Sequence, residues 1–319
     1  MTRPRVRPLL VSVIVPVRDG DDDLPSLLAA LARQTLDPSS FEVIVSDDGS
    51  EDGSIERLDA GHGNLRVVVG PRSTSYAARN RGARVAEAPV LAFTDADCRP
   101  EPDWLARGLA SLEGKGADVL AGVVRFTPPR RVHVWGLLDM DAYLDQERMV
   151  RQGVAATANL LVRRDVFDAA GGFDPALPSN GDHDFVARCV AAGCRLAFAR
   201  DAAVTHPVRN DRRAFLAKWW RTHTAFGARC ARDGRPTRMW LLLVPGVRTW
   251  RSRRWHARPP GLNLARLAES GVRPGPLQRL AALPLLYLVL PWIAFAAQAT
   301  GRRRSRRGAA PPRVSREMA

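Results

Sequence analysis

Residues 41–54 read FEVIVSDDGSEDGS. An apolar run rich in Val and Ile ends abruptly in two aspartates, a glycine and a serine, which is the signature of a buried strand running into a tight turn. Outward from this stretch the same event recurs. VSVIVPV (11–17) runs into Arg18–Asp19, LRVVVG (65–70) is a further Val-rich run, and PVLAFTD (89–95) leads into Asp95–Ala96–Asp97. Between these runs, 24–34, 54–60 and 74–87 carry helical spacing. Strand–helix alternation predicts βαβ units, hence an α/β fold with a mostly parallel sheet and flanking helices. ADVLAGVV (117–124) and CRLAFA (194–199) are expected as further strands, and 101–112, 164–170, 182–192 and 211–231 as helices.

In open sheets of this kind, ligands bind beyond the carboxyl ends of the strands. The acidic tips at Asp19, Asp47–Asp48 and Asp95–Asp97 then converge on one edge, an arrangement that repels itself without a cation or donor-rich ligand. Asp95 and Asp97, at i and i+2 past a strand, suit a hard divalent cation such as Mg²⁺ or Mn²⁺; alone, such a pair is a weak signal. Asp47 or Asp48 offers acceptors to a base or ribose, while Ser50 or Asp52 equally suits a helix cap. Arg79, Arg81 and Arg84 crowd the start of a helix, where guanidinium groups suit a diphosphate, although arginines at this spacing more often form a solvated stripe. Asn80 and Gly82 are unusual inside a helix and point to a functional turn. Asp182 in NGDHDFVARC (180–189) is either a capping carboxylate or a general base, with Asp184 as its rival. His206 in AVTHP (203–207), expected just after a short strand, offers an imidazole to a metal or phosphate.

Taken in order, VSVIVPVRD (11–19), FEVIVSDDGSEDGS (41–54), ARNRGARVA (78–86), PVLAFTDADCRPEPDWL (89–105), GGFDPALPSNGDHDFVARCVAAG (171–193) and AVTHP (203–207) resemble the family 2 glycosyltransferases of the GT-A fold. The resemblance implies a Rossmann-like sheet and inverting transfer from a nucleoside-diphosphate sugar to a hydroxyl acceptor. It implies that Pro16 and Asp19 line the nucleotide pocket, that Asp48 pairs with the base, and that Asp95 meets ribose or metal. By the same resemblance Asp97 would bind the divalent cation, Mn²⁺ or Mg²⁺, with His206 near the metal, and Asp182 would be the catalytic base; Arg79 and Asn80 are expected in the nucleotide-sugar site. Two departures stand out. Gly181 occupies the place where the family usually carries Glu before that base, and Arg18–Asp19 replaces the common Tyr-Asn.

The charge is unevenly spread. Residues 1–228 hold 29 Lys and Arg against 30 Asp and Glu, whereas residues 229–319 hold 19 Arg against 3 acids. The first part therefore reads as a catalytic domain, with a nucleotide-binding half at 1–100 and an acceptor-binding half at 101–228. The second reads as a region that meets anionic partners. Leu280–Gly301 is 22 residues without a charge, followed by RRRSRR, which favours an anionic membrane over nucleic acid. Trp240, Trp250, Trp255 and Trp292 are residues of the membrane boundary, while Pro284 and Pro291 set an in-plane or broken helix against a clean span. Residues 229–301 are thus expected to be a helical membrane-associating region at the cytoplasmic face, peripheral or with one C-terminal segment inserted, and 302–319 a basic disordered tail. The acceptor is then a glycan or lipid-linked group. No secretory signal is expected, and Cys98, Cys189, Cys194 and Cys230 lack metal spacing and read as reduced structural thiols. Rival assignments are a sugar nucleotidyltransferase, whose Gly-rich opening loop is missing from PVRDGDDD (16–23), and an inactive membrane-bound scaffold of the same fold.

Overall fold

A computed structural model describes residues 8–20, 22–58, 64–232, 234 and 262–306. The chain divides into two compact units. Met1–Arg125, Leu144–Leu177 and Gly181–His206 form the first; Phe126–Tyr143, Pro178–Asn180 and Pro207–Ala319 form the second. The strands are β1 (Val11–Val17), β2 (Phe41–Asp47), β3 (Leu65–Val69), β4 (Val90–Phe93), β5 (Arg99–Pro100), β6 (Val119–Thr127), β7 (Leu160–Arg163) and β8 (Leu196–Pro207). The helices are α1 (Leu24–Ala32), α2 (Ser75–Val85), α3 (Trp104–Gly114), α4 (Val134–Ala142), α5 (Gln146–Arg151), α6 (Arg164–Ala169), α7 (Gly181–Ala191), α8 (Arg212–Arg232), α9 (Leu264–Glu269), α10 (Pro276–Pro284) and α11 (Leu290–Arg306).

One eight-stranded sheet, ordered β3-β2-β1-β4-β7-β6-β8-β5, organises the first unit. The first four strands pair in parallel, with Val11 opposite both Phe41 and Val90. The sheet then turns antiparallel through β7, β6 and the β5–β8 pair, so it is mixed rather than mostly parallel. The strand β7, LLVR, escapes a periodicity search because four apolar-to-polar residues do not distinguish strand from helix. Both faces of the sheet are covered, as parallel strands require. Val11, Val13, Val15 and Val17 of β1 pack with Leu24, Leu27, Leu31, Trp104 and Leu105, whereas Ile14 joins Tyr76, Phe93, Phe167, Phe173 and Phe185. The period-two alternation of one strand thus feeds two cores.

Two local expectations fail. Residues 54–58 form turns, not the start of a helix: Gly53 takes φ 72°, and the Asp52 carboxylate accepts from the Ser54 backbone at 3.0 Å and its hydroxyl at 2.6 Å. Such local side-chain bonds compete with helix formation; 59 and 60 lie outside the described residues. β3 is parallel as expected but is not buried, because it is the outermost strand, leaving Val69 65% exposed.

The second unit gathers α4, α8, α10 and α11 around Leu138, Phe215, Ala282 and Leu290, flanked by Trp135, Tyr143 and Trp219. α8 and α11 cross at glycines: a methyl on Gly301 would stand 2.0 Å from the Thr224 carbonyl oxygen, and one on Gly227 2.2 Å from that of Gln298. Pro284 closes α10, and a π-helical turn, Leu285–Val289, leads into α11, as a ring that removes an N–H and crowds the preceding turn would cause. Among the described residues no helix is long and apolar enough to cross a membrane. Trp240, Trp250 and Trp255, and the tail from 307 onward, lie outside the described residues.

Candidate active site

The parallel register of β1 and β2 ends with Val17 opposite Asp47, so the turns that follow lie side by side. They are stitched together. Asp19 adopts a left-handed backbone, φ 54°, which aspartate tolerates better than most residues. Its N–H donates to Ser50 Oγ at 2.9 Å, and its carboxylate accepts from the Glu51 N–H at 3.0 Å. Asp47 serves the turn, accepting from the N–H groups of Gly49 (3.2 Å) and Ser50 (3.0 Å) and from Ser50 Oγ (2.5 Å). Asp48, buried, accepts from the Ser73 N–H at 2.9 Å and its hydroxyl at 2.7 Å. Arg18 and Arg81 stand 3.7 and 3.9 Å from the same carboxylate. Pro16 lies half-buried on β1 opposite Ser46.

Beyond β4, one ligand atom each from Asp95, Asp97 and Cys98 lie within 4.8 Å of one another. Arg79, almost wholly buried on α2, makes an ion pair with Asp95. His206 Nε2 lies 3.4 Å from Asp97 Oδ2. His206 belongs to β8 rather than following it, and the β5–β8 ladder, which pairs Arg99 with Thr205, brings it to the 97–98 segment. Two carboxylates past one strand are oxygen donors of the kind that suit a hard cation such as Mn²⁺ or Mg²⁺. Cys98 fits less well: burial pushes its thiol well above its usual range, and it donates to the Ala158 carbonyl at 3.7 Å. Nearby Asp95 and Asp97 push it the same way.

Asp182 lies in the first turn of α7. Its Oδ1 accepts from Tyr76 Oη at 3.2 Å and from the His183 N–H at 2.9 Å, and its Oδ2 from the Thr157 N–H at 3.2 Å. Asp184 is drawn instead to Arg188, one turn along the helix, at 3.0 Å. Asn80 ties α2 to a loop: its amide donates to the Phe173 carbonyl at 2.7 Å and accepts from the Phe173 N–H at 2.9 Å.

One helix touches three of the acidic corners. α2 is capped by Thr74, whose hydroxyl accepts from the Ala77 N–H at 3.1 Å. From it Tyr76 reaches Asp182, Arg79 reaches Asp95, and Arg81 reaches Asp48 while donating to the Asp47 carbonyl at 2.6 Å. The three arginines, open to a diphosphate or a solvated-stripe reading from sequence, divide: Arg79 and Arg81 turn toward carboxylates, and Arg84 faces solvent. Tyr76, Ser73 and Thr157 were not singled out from sequence. The i, i+3 spacing of Tyr76 and Arg79 is the signal that places both on one helix face.

Comparison with known proteins fits this architecture. The chain is 37% identical over 204 residues to the glycosyltransferase AglE of Haloferax volcanii, covering 62% of this chain and 67% of that one. It is 27% identical over 223 residues to the succinoglycan biosynthesis protein ExoU of Rhizobium meliloti, 64% of each chain. Among solved structures, the mannosyltransferase PcManGT of Pyrobaculum calidifontis, in complex with GDP-Man and Mn²⁺, superposes with a TM-score of 0.61 at 19% identity, covering 94% of this chain and 89% of that one. S. aureus TarS 1–349 in complex with UDP-GlcNAc gives 0.55 at 18% identity, covering 94% and 93%. Both likenesses show the shared GT-A fold. The sequence profile described as Glycosyl transferase family 2 matches residues 12–171, which carry the β1, β2 and β4 tips together with α2. By that match the chain belongs to glycosyl transferase family 2 and is a glycosyltransferase.

Proposed function

We propose that this glycosyltransferase inverts the anomeric centre of a nucleoside-diphosphate sugar. The base lies toward Asp48, with Pro16 and Asp19 along its pocket and Arg79 and Asn80 on the diphosphate side. Asp95, Asp97 and His206 hold Mn²⁺ or Mg²⁺, which when bound neutralises charge on the diphosphate. Asp182 accepts the proton of the acceptor hydroxyl as its oxygen bonds to the anomeric carbon. The bond from that carbon to the phosphate oxygen breaks on the opposite face, and its electron pair leaves with the diphosphate. The observation that supports this most is the single helix α2 contacting Asp48, Asp95 and Asp182 through Arg81, Arg79 and Tyr76. A panel of nucleotide sugars tests it. Metal-dependent release of nucleoside diphosphate that disappears in Asp182→Asn is expected; wild-type turnover in that variant contradicts the role given to Asp182. Turnover of a nucleoside triphosphate and sugar phosphate to nucleotide sugar would restore the nucleotidyltransferase alternative.

The acceptor is proposed to be a lipid-linked or cell-envelope glycan, reached at the cytoplasmic face of an anionic membrane. Support comes from α10 to α11. Leu277 is 81% exposed, Leu280 65%, Leu288 58% and Trp292 59%. Residues 270–306 contain arginines and no acidic residue. Exposed apolar side chains flanked by arginines at both ends suit a helix lying in the headgroup plane. Flotation with vesicles of phosphatidylglycerol is expected to carry the protein, and vesicles of phosphatidylcholine alone are not. Equal recovery with both, or unchanged flotation of Leu280→Glu/Trp292→Glu, counts against this placement.

A further inference from the structure

Gly181 begins α7 immediately before Asp182. A methyl group placed on it would stand 2.8–2.9 Å from three ring atoms of Tyr76. These are tighter than real carbon contacts and are made by a buried, packed ring rather than a flexible chain end. Tyr76 is 7% exposed and lies against Phe173, at 5.7 Å between centroids, so it has little room to retreat. The same tyrosine donates its phenol proton to Asp182 Oδ1. Residue 181 is thus without a side chain where the ring of Tyr76 passes, and the phenol ends on the carboxylate next door. The family's usual glutamate before the base has no space here.

We propose that Tyr76 is the positioning residue for Asp182, and that Gly181 is the opening that lets it reach. The proposal rests on Asp182 being the base. An ionised carboxylate has about two acceptor directions on each oxygen. Among the described residues, Oδ1 fills both with Tyr76 Oη and the His183 N–H, while Oδ2 takes the Thr157 N–H alone. Oδ2 therefore keeps a lone pair for the acceptor proton, and the tyrosine fixes which oxygen that is. The charged groups facing this corner are Asp182 itself and Arg79, whose guanidinium lies 5.5 Å from the Tyr76 ring centroid. Burial, reinforced by the Asp182 charge, raises the phenol well above its ordinary range, so it stays a donor at working pH.

A hydrogen bond donated to a carboxylate polarises the accepting oxygen, so losing it changes the environment of the carboxyl carbon. Tyr76→Phe keeps the ring and removes the donor. The carbon-13 chemical shift of the Asp182 carboxyl at fixed neutral pH, assigned by its absence in Asp182→Asn, is expected to move in Tyr76→Phe, because Oδ1 loses one of its two donors. Turnover of UDP-GlcNAc or GDP-mannose, whichever is used, should fall about tenfold with the donor KM within about twofold. Gly181→Ala should reproduce the loss by displacing the ring, yet add nothing in a Tyr76→Ala background, where the space is free. An unchanged carboxyl chemical shift in Tyr76→Phe, or an equal cost of Gly181→Ala in both backgrounds, overturns the proposal. The outcomes separate cleanly from the base assignment: if Asp182→Asn keeps full turnover, that assignment fails, while the chemical shift still decides whether Tyr76 engages the carboxyl.

Discussion

Arg79 and Asp95 form a one-sided pair: the arginine side chain is 5% exposed and the aspartate 33%. The cation is thus held inside the first unit, and its partner is turned partly toward solvent. A buried guanidinium that loses its carboxylate is left uncompensated. Asp95→Ala is therefore expected to destabilise the fold as well as the site, by about 1–3 kcal/mol, because the lost bond is charge-assisted. Asp97→Ala, at a carboxylate 25% exposed beside His206, should cost less than about 1 kcal/mol. Urea denaturation of the two variants checks the ordering.

Asn80 offers a second separation of structure from binding. Both ends of its amide are engaged by the backbone of Phe173, which is 1% exposed. Asn80→Ala leaves a buried N–H and carbonyl unpaired and should cost about 1–3 kcal/mol. If the amide also serves the donor, KM for the nucleotide sugar rises in protein that is still folded; if it serves only the loop, KM stays put. Thermal unfolding and donor KM, measured on the same preparation, report both.

The α8–α11 crossing should tolerate no side chain at its two glycines. Because the methyl of Gly301→Ala would meet a backbone oxygen at 2.0 Å, the helices must separate. A loss of about 1–3 kcal/mol is expected, the usual cost of overpacking. Ala294→Gly, at a buried position on the same helix, should lose only about 1 kcal/mol through helix propensity. Equal stability of Gly301→Ala and wild type in urea would show that the crossing is looser than described.

Lys218 carries the clearest pH prediction. Burial, with Arg209 adding repulsion, lowers its ammonium from 10.5 to about 8, against the opposing pull of Asp139 at 3.5 Å. Between pH 8 and 10.5 the unfolded chain holds this proton and the folded chain does not, so stability gained through Lys218 rises with pH across that window, by ~3 kcal/mol in all. Below pH 8 both states are protonated and the slope vanishes. Buried tyrosines and thiols titrate with the opposite sign, so the measurement is the difference in unfolding free energy between wild type and Lys218→Met from pH 7 to 10.5. The difference should grow with pH; a flat one contradicts the burial of the ammonium.

Much of the first unit was legible because its signals are local. Apolar runs ending in Asp mark β1, β2 and β4, and parallel pairing then puts their ends side by side without further information. What sequence could not supply is side-chain direction across the sheet. Arg79 and Arg81 read either as diphosphate ligands or as part of a solvated stripe, because nothing local says that Asp95 and Asp48 lie opposite them. His206 read as following a strand because its partner ladder, Arg99 with Thr205, joins residues 106 apart. Residues 54–58 read as helix because their spacing is helical, while the competing Asp52–Ser54 bonds are decided by backbone conformation.

The most direct test is isothermal titration of UDP and GDP into the purified protein, with and without Mn²⁺, repeated with Asp97→Ala and Asp182→Asn. One nucleoside diphosphate should bind wild type and Asp182→Asn only when Mn²⁺ is present, and should not bind Asp97→Ala. Binding of equal strength without the metal, or undiminished in Asp97→Ala, contradicts the claim that the β4 carboxylates hold the donor.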